Sequence, residues 1–381
     1  MLQKEYRTLL SLIAPLCGGV AAPHEPIEDY RQLCLLAKQH SVANLLYMAL
    51  KDDPALPADL RAALEGNLFA SARQQLAQEY EAGRVFSALE KAGIRFLPMK
   101  GIVMRPLYPR PEMRVSCDVD VFYDKNERDK ITPLMTGLGY TSDDVDANHE
   151  DFHKGQVSME MHHNLMIHFE TVDAYYADIW DRLIPESDYR YRMSDEDFYI
   201  YSLVHTMKHF TTSGTGIRSV LDVFVYLRAK PQLDLSYGEG ELERLGLLEF
   251  HRILSALAEA YFGGAELPSD LEEVSAYMLG SGTYGLSSNT AVNLVAKGKG
   301  GRLGYYISRA LPPYAIMKEK FPSLRRFPPA LPFYWGYRLA LAVFGKKQSL
   351  RHEMRALNTV DKAAAARLDQ VMTRAGLNGY R

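Results

Sequence analysis

Cysteine is scarce: Cys17, Cys34 and Cys117 are the only three among 381 residues. An odd, widely spaced set builds neither a disulfide framework nor a zinc ribbon, and it suits a reducing compartment. Net charge is small as well, at −3, with an isoelectric point near 6.4. That argues against a non-specific grip on long nucleic acid, while leaving room for a local basic pocket. Long apolar runs are missing. The most hydrophobic stretch, "LPFYWGYRLALAVFG" at 331–345, is short and broken by Arg338, so no membrane span is expected. At the N-terminus, Lys4, Glu5 and Arg7 precede only about seven mostly apolar residues, the bottom of the signal-peptide range. An amphipathic first helix is the better reading there. No repeat period is visible, and the expectation is a cytoplasmic protein without membrane contact.

What is present is an ordinary globular mixture, 47% hydrophobic and 24% charged, over a length that suits about two or three domains. Residues 1–92 carry helical spacing. Leu33, Leu36, Val42, Leu45, Leu46 and Leu50 recur near the helical period, and a second run opens after Pro57 and stops at Gly93. The texture then changes. "IRFLPMKG" at 94–101 reads as a strand turning into a helix, and "RVSCDVDVFYDK" at 114–125 alternates with period two. "NERDKITPLMTGLGY" reads as a helix with Asn126 as N-cap and Pro133 inside it, and "QVSMEMHHNL" at 156–165 reads as another strand. Helices return from about 173, one of them capped by Ser194 with Asp197 three residues on. The expected architecture is α+β: a small mixed-sheet core at 93–190 between a helical N-terminal region, 1–92, and a helical C-terminal region, 191–381.

The alternating run at 114–125 poses the chemical question. Asp118 and Asp120 share one strand face with Ser116 and Phe122, while Val115, Cys117, Val119 and Val121 share the other. Asp disfavours strands, and neighbouring like charges repel. A solvated edge would explain the pair, and so would a hard divalent cation bridged by fixed oxygens. Glu160 shares a face of its own strand with Ser158 and His162. Three carboxylates on neighbouring strands could hold two divalent ions. Gly101, at a strand-to-helix turn, would let backbone approach the phosphates those ions bridge. That is the apparatus of phosphoryl or nucleotidyl transfer.

The ordered set "FLPMKG", "R-x-x-x-D-V-D-V-F", "MEMHHNL" and "H-x-x-x-H-F … G-I-R-x-x-x-D" resembles the nucleotidyltransferase fold of the polymerase-β superfamily. More narrowly it resembles a poorly characterised bacterial nucleotidyltransferase family with a Lys-Gly turn and Asp-x-Asp. The likeness spans roughly 25–345, with its specific motifs at 94–222. It implies that Asp118, Asp120 and Glu160 are catalytic and hold metal, Mg²⁺ or in its place Mn²⁺. Glu160 would complete a second metal position and help activate an acceptor hydroxyl. It also implies that Gly101 lines the phosphates of an NTP such as ATP. Instead of the superfamily's usual Gly-Ser turn this chain has Lys100-Gly101-Ile102 and a longer run to Asp118, so Lys100 or Arg114 would replace the serine contact by charge.

Each of these residues also has a plainer reading. Lys100 is either a phosphate ligand or a solvated strand end, and its place beside the glycine turn favours the first. Arg114 either meets phosphate or neutralises the acidic pair. His162 shares the face of Glu160 and is placed to bond either it or substrate, whereas His163 points away and packs. His205 and His209, at i and i+4 on a helix, have metal-ligand spacing. They lack the Glu of a zinc hydrolase, so they orient acidic groups, close the cleft or simply pack. Arg218 either pairs with Asp222 one turn on or reaches a phosphate. Basic stretches at 319–327 and 344–355 read most simply as solvated helix faces. The expected activity moves a nucleoside monophosphate from an NTP to a small metabolite, a sugar phosphate or a protein side chain. The missing serine keeps a second reading open, a catalytically lapsed module of the same fold that binds nucleotide or a partner.

Overall fold

The computed structural model describes residues 3–145, 149–165, 169–283, 285, 310–314, 317–318, 321, 323–345 and 362–380. Four N-terminal helices come first: α1 (Lys4–Ile13), α2 (Tyr30–Gln39), α3 (Ala43–Leu50) and the 34-residue α4 (Ala58–Lys91). The leucine-rich run from Leu33 to Leu50 is thus two helices. They are broken where Ser41 turns into the left-handed region at φ 55°. Asp29 caps α2 by accepting from the Gln32 amide at 3.0 Å. Gly93, at φ 69°, ends α4 as its position suggested.

The core follows as β1 (Phe96–Met99), the single turn α5 (Gly101–Met104), β2 (Asp118–Tyr123), α6 (Arg128–Gly137), β3 (Thr141–Val145), β4 (His149–Lys154) and β5 (Val157–His162). The strands form one mixed sheet in the order β1-β2-β5-β4-β3. β2 and β5 run parallel, with Asp120 opposite Glu160, while the other three pairings are antiparallel. The fold is therefore α+β with helical flanks.

One local expectation is corrected. The turn before α6 is capped by Asp124, which accepts the Asn126 amide at 3.0 Å; Asn126 itself is not the cap. The Asn126 side chain is itself drawn back to Asp124, donating its Nδ2 to the same carboxylate oxygen at 2.9 Å, and so is turned away from the amides it would cap. α6 runs through Pro133, as its sequence suggested. The strands β3 and β4 were not expected at all.

The alternation of β2 and β5 sorts side chains between two cores. Val119, Val121, Tyr123, Met159 and Met161 face backwards and bury against Val85, Phe86 and Leu89 of α4 and Ile131 and Met135 of α6. The other face looks toward the C-terminal helices: α7 (Glu170–Tyr175), α8 (Asp195–Thr212), α9 (Ile217–Ala229), α10 (Leu235–Arg244), α11 (Leu248–Ala258) and α12 (Glu272–Ser281). A second apolar core runs through Leu9, Leu45, Met99, Phe122, Phe210, Phe224 and Leu377, so helices from both ends of the chain share it. Ser194 caps α8 by accepting the Asp197 amide at 3.0 Å, as its sequence suggested. Of the two basic stretches, 319–327 lies partly and 344–355 almost wholly outside the described residues. Among the described residues no helix is long and apolar enough to cross a membrane.

Candidate active site

The front of the sheet and the C-terminal helices enclose a cleft of about 710 Å³. All ten residues singled out from sequence line it: Lys100, Gly101, Arg114, Asp118, Asp120, Glu160 and His162 from the core, and His205, His209 and Arg218 from α8 and α9. The sequence neighbours Ser116 and Cys117 line it too.

Asp120 is 1% exposed and sits at the centre. Its Oδ1 accepts from the Lys100 ammonium and, at 2.9 Å, from His162 Nε2. The same imidazole nitrogen lies 3.2 Å from Glu160 Oε2, and the ammonium lies 3.9 Å from it. Ligand atoms of Asp120, Glu160 and His162 all fall within 4.8 Å of one another. Asp118 lines the cleft one step along β2 but stands outside that close group.

The charges follow from this packing. Burial raises the Asp120 carboxyl, but Lys100 and the His162 hydrogen bond outweigh it and hold Asp120 far below the ordinary range. Glu160 is also raised by burial and then brought below its usual value by His162. For Asp118 the balance goes the other way. Burial, and then the carboxylates of Asp120 and Glu160, push it up to about 6, against weaker opposition from Lys100 and Arg218. Lys100 is lowered by burial but raised on balance by Asp120, Tyr201 and Glu160, so it remains an ammonium.

Lys100 holds its backbone at φ 50° and ψ −119°, a region that favours glycine. That conformation costs about 1–3 kcal/mol, offset here by the buried pair with Asp120. The following Gly101 is needed for space: a Cβ there would lie 2.5 Å from Ser116 Oγ and 3.1 Å from Arg114 Nη1. A serine hydroxyl therefore does stand beside the glycine turn, delivered by the segment before β2. Gln78 of α4 fixes that segment, donating to the Ser116 carbonyl at 3.1 Å while accepting from Arg105 at 2.7 Å. Nothing in the local spacing signals this contact.

Arg114 spends its hydrogen bonds away from the acidic pair, although the Asp118 charge still acts on it. It grips Asp222 of α9 with two bonds of 2.9 and 3.0 Å, and the Tyr108 hydroxyl donates to the same carboxylate at 2.7 Å. Asp222 is therefore held by Arg114, a partner that its helical spacing did not suggest. A bidentate guanidinium outcompetes an i, i+4 contact on a helix surface. Arg218 reaches the Val115 carbonyl at 3.3 Å and lies close enough to lower the Asp118 carboxyl by its charge. The start of α9 is fixed by His40, whose Nδ1 accepts the Ile217 amide at 3.1 Å while Nε2 bonds the Leu279 carbonyl at 3.0 Å.

On the helical wall, Nε2 of His209 meets Nε2 of His205 at 3.1 Å. One ring donates and the other accepts, so both are neutral. Burial, followed by the charges of Lys208 and Lys100, lowers His209 to about 4. Burial and then His209 lower His205 well below its ordinary value. No third metal ligand joins them among the described residues. His163 turns from the cleft and packs its ring 6.2 Å from Tyr123.

The donor set fits a divalent cation on its own chemistry. Asp118 is a half-buried carboxyl short of positive charge, beside two others already close enough to share an ion. Carboxylates from adjacent parallel strands, beside a strand-to-helix glycine turn, place the fold in the class that the resemblance suggested. A family described as "Uncharacterised nucleotidyltransferase" matches residues 27–263, and the chain belongs to it. No curated protein and no solved structure matches the chain.

The sequence reading missed His149 and Asp151 on β4. Their ligand atoms lie with that of Glu160 within 4.8 Å. It also missed Tyr201, a buried residue that lines the cleft.

Proposed function

We propose that the cleft transfers a nucleoside monophosphate from an NTP to an acceptor hydroxyl with Mg²⁺ as cofactor. The observation that carries this reading is the register of Asp120 against Glu160 on parallel strands, with the under-neutralised Asp118 beside them. Asp118, Asp120 and Glu160 would hold the ion or ions, which would neutralise phosphate charge and orient the triphosphate. Glu160 lies below its ordinary carboxylate range, which suits it to hold a cation better than to take a proton. In the transfer the acceptor oxygen bonds the α-phosphorus and the bond to the β-phosphate breaks. Pyrophosphate leaves, and the hydroxyl proton passes to a carboxylate oxygen and on to water.

Lys100 holds Asp120. With Mg²⁺ on that carboxylate, the Lys100 ammonium would be available to phosphate, beside the charges of Arg218 and Arg114. The Ser116 hydroxyl and the Gly101 turn would line the same phosphates. His205 and His209, neutral and bonded to each other, would form a wall for the acceptor. The scarcity of cysteine, none of it in a disulfide among the described residues, supports a reducing, cytoplasmic setting.

A second reading rests on one observation. Because Lys100 already neutralises Asp120, the cleft could be a nucleotide- or partner-binding module whose ammonium has replaced the ion. Mg²⁺ titration with each NTP separates the two readings. A transferase releases pyrophosphate in proportion to bound ion, whereas a lapsed module binds without release. Incubating the protein and each labelled NTP with cell extract then shows which acceptor becomes labelled.

A further inference from the structure

β4 continues the acidic row beyond the group just described. Asp120 pairs with Glu160 across β2 and β5, and Glu160 pairs with Asp151 across β5 and β4. Directly paired residues on adjacent strands point to the same side. Three carboxylates therefore stand side by side on three consecutive strands. In the next row His162 pairs with His149, their rings 5.0 Å apart. Lys100 and His162 serve the Asp120 end of the row. At the other end, His149 Nε2 is 3.4 Å from Asp151 Oδ1.

We propose that His149, Asp151 and Glu160 form a second cation site that prefers first-row transition ions such as Mn²⁺, Co²⁺ or Zn²⁺ to Mg²⁺. Their ligand atoms lie within 4.8 Å of one another without any rearrangement. The side chains are 23%, 30% and 24% exposed, which shelters an ion yet leaves an entry path. Two carboxylates balance a divalent charge. The imidazole adds a nitrogen ligand, which suits borderline ions and not Mg²⁺ with its demand for oxygen and octahedral geometry. Three protein ligands leave coordination positions for water or substrate. All three sit on paired strands, so their spacing is built into the sheet. Glu160 belongs to both groups and would connect the two ions.

A second observation points to a ligand in the same cleft. The Tyr201 hydroxyl is buried, with the residue 1% exposed, and has no hydrogen-bond partner among the described residues. The charges that act on it are those of Lys100, Asp120 and Glu160. A buried hydroxyl rarely goes unsatisfied, and water or substrate held by an ion on Glu160 would supply the missing bond.

The test uses the full chain, stripped by chelation and titrated with Co²⁺ while bound ion is counted by equilibrium dialysis. The expected result is about two ions per chain in the unaltered protein, falling to about one in the double variant His149→Gln, Asp151→Asn. Excess Mg²⁺ should displace only the ion beside Asp120. A count of about one in the unaltered protein, no loss in the double variant, or displacement of both ions by Mg²⁺ overturns the proposal. If the double variant does not fold, crystals of the unaltered protein soaked in Mn²⁺ decide. An anomalous-scattering peak between His149 and Asp151 supports the site, and its absence sinks it. Pyrophosphate release tests a different claim, so its failure leaves this count standing.

Discussion

The two faces of β2 and β5 are made by alternate residues of the same strands, yet they obey opposite rules. Behind the sheet, Val119, Val121, Met159 and Met161 are at most 1% exposed and pack among apolar neighbours. In front, Asp118, Asp120, Glu160 and His162 crowd like charges into a cleft. The apolar back supplies the stability that lets the front hold an arrangement unfavourable on its own terms. Substitutions on one face should therefore move stability, and substitutions on the other should move chemistry.

The sharpest test is Asp118→Asn. It should lower NTP-dependent pyrophosphate release by at least ~100-fold, in line with losing a charged metal ligand. Its urea midpoint should be unchanged or higher, since a half-buried carboxyl raised to about 6 weakens the fold at neutral pH. A variant that loses stability along with activity would erase the distinction between the faces. The opposite probe is Met161→Ala behind the sheet, where the residue is fully buried. It should cost about 2–5 kcal/mol in urea unfolding and leave the count of bound cation unchanged.

Lys100→Met lies between these cases. Removing the ammonium leaves Asp120 with His162 alone, so the cation-free protein should lose up to ~3 kcal/mol. Divalent cations should bind more tightly and restore the melting temperature. If cation affinity instead falls, Lys100 does not compete with the metal ion for Asp120. The smallest effect is a pH slope. Asp118 binds its proton more tightly folded than unfolded, so this group's contribution to stability is greatest at low pH. That contribution declines as pH rises from about 4 through about 6. Asp118→Asn should flatten that part of the stability–pH curve, and saturating Mg²⁺ should do the same.

Much of the front face could be read from sequence, because period-two alternation places Asp118, Asp120, Glu160 and His162 whatever the surroundings. The α4 helix, the Gly93 stop and the Ser194 cap were legible for the same reason, since local chemistry decides them. The hairpin of β3 and β4 was not. "TSDDV" and "HEDFHK" are polar and acidic, and they become strands because β5 offers an edge to β4 and β4 in turn offers one to β3. His149 and Asp151 stayed hidden with that hairpin. The grip of Arg114 on Asp222 joins residues 108 apart, and the approach of Ser116 to Gly101 depends on Gln78 in a distant helix. Such contacts belong to tertiary structure and leave no trace in local spacing.

The shared apolar core also limits how the chain can be shortened. Leu97, Met99 and Phe122 on the sheet bury in the same cluster as Leu9 and Leu45 from the first helices and Leu377 near the end. A fragment trimmed to the strands would present that oily underside to water and would tend to clump. Attempts to isolate a minimal catalytic piece should therefore keep both helical ends.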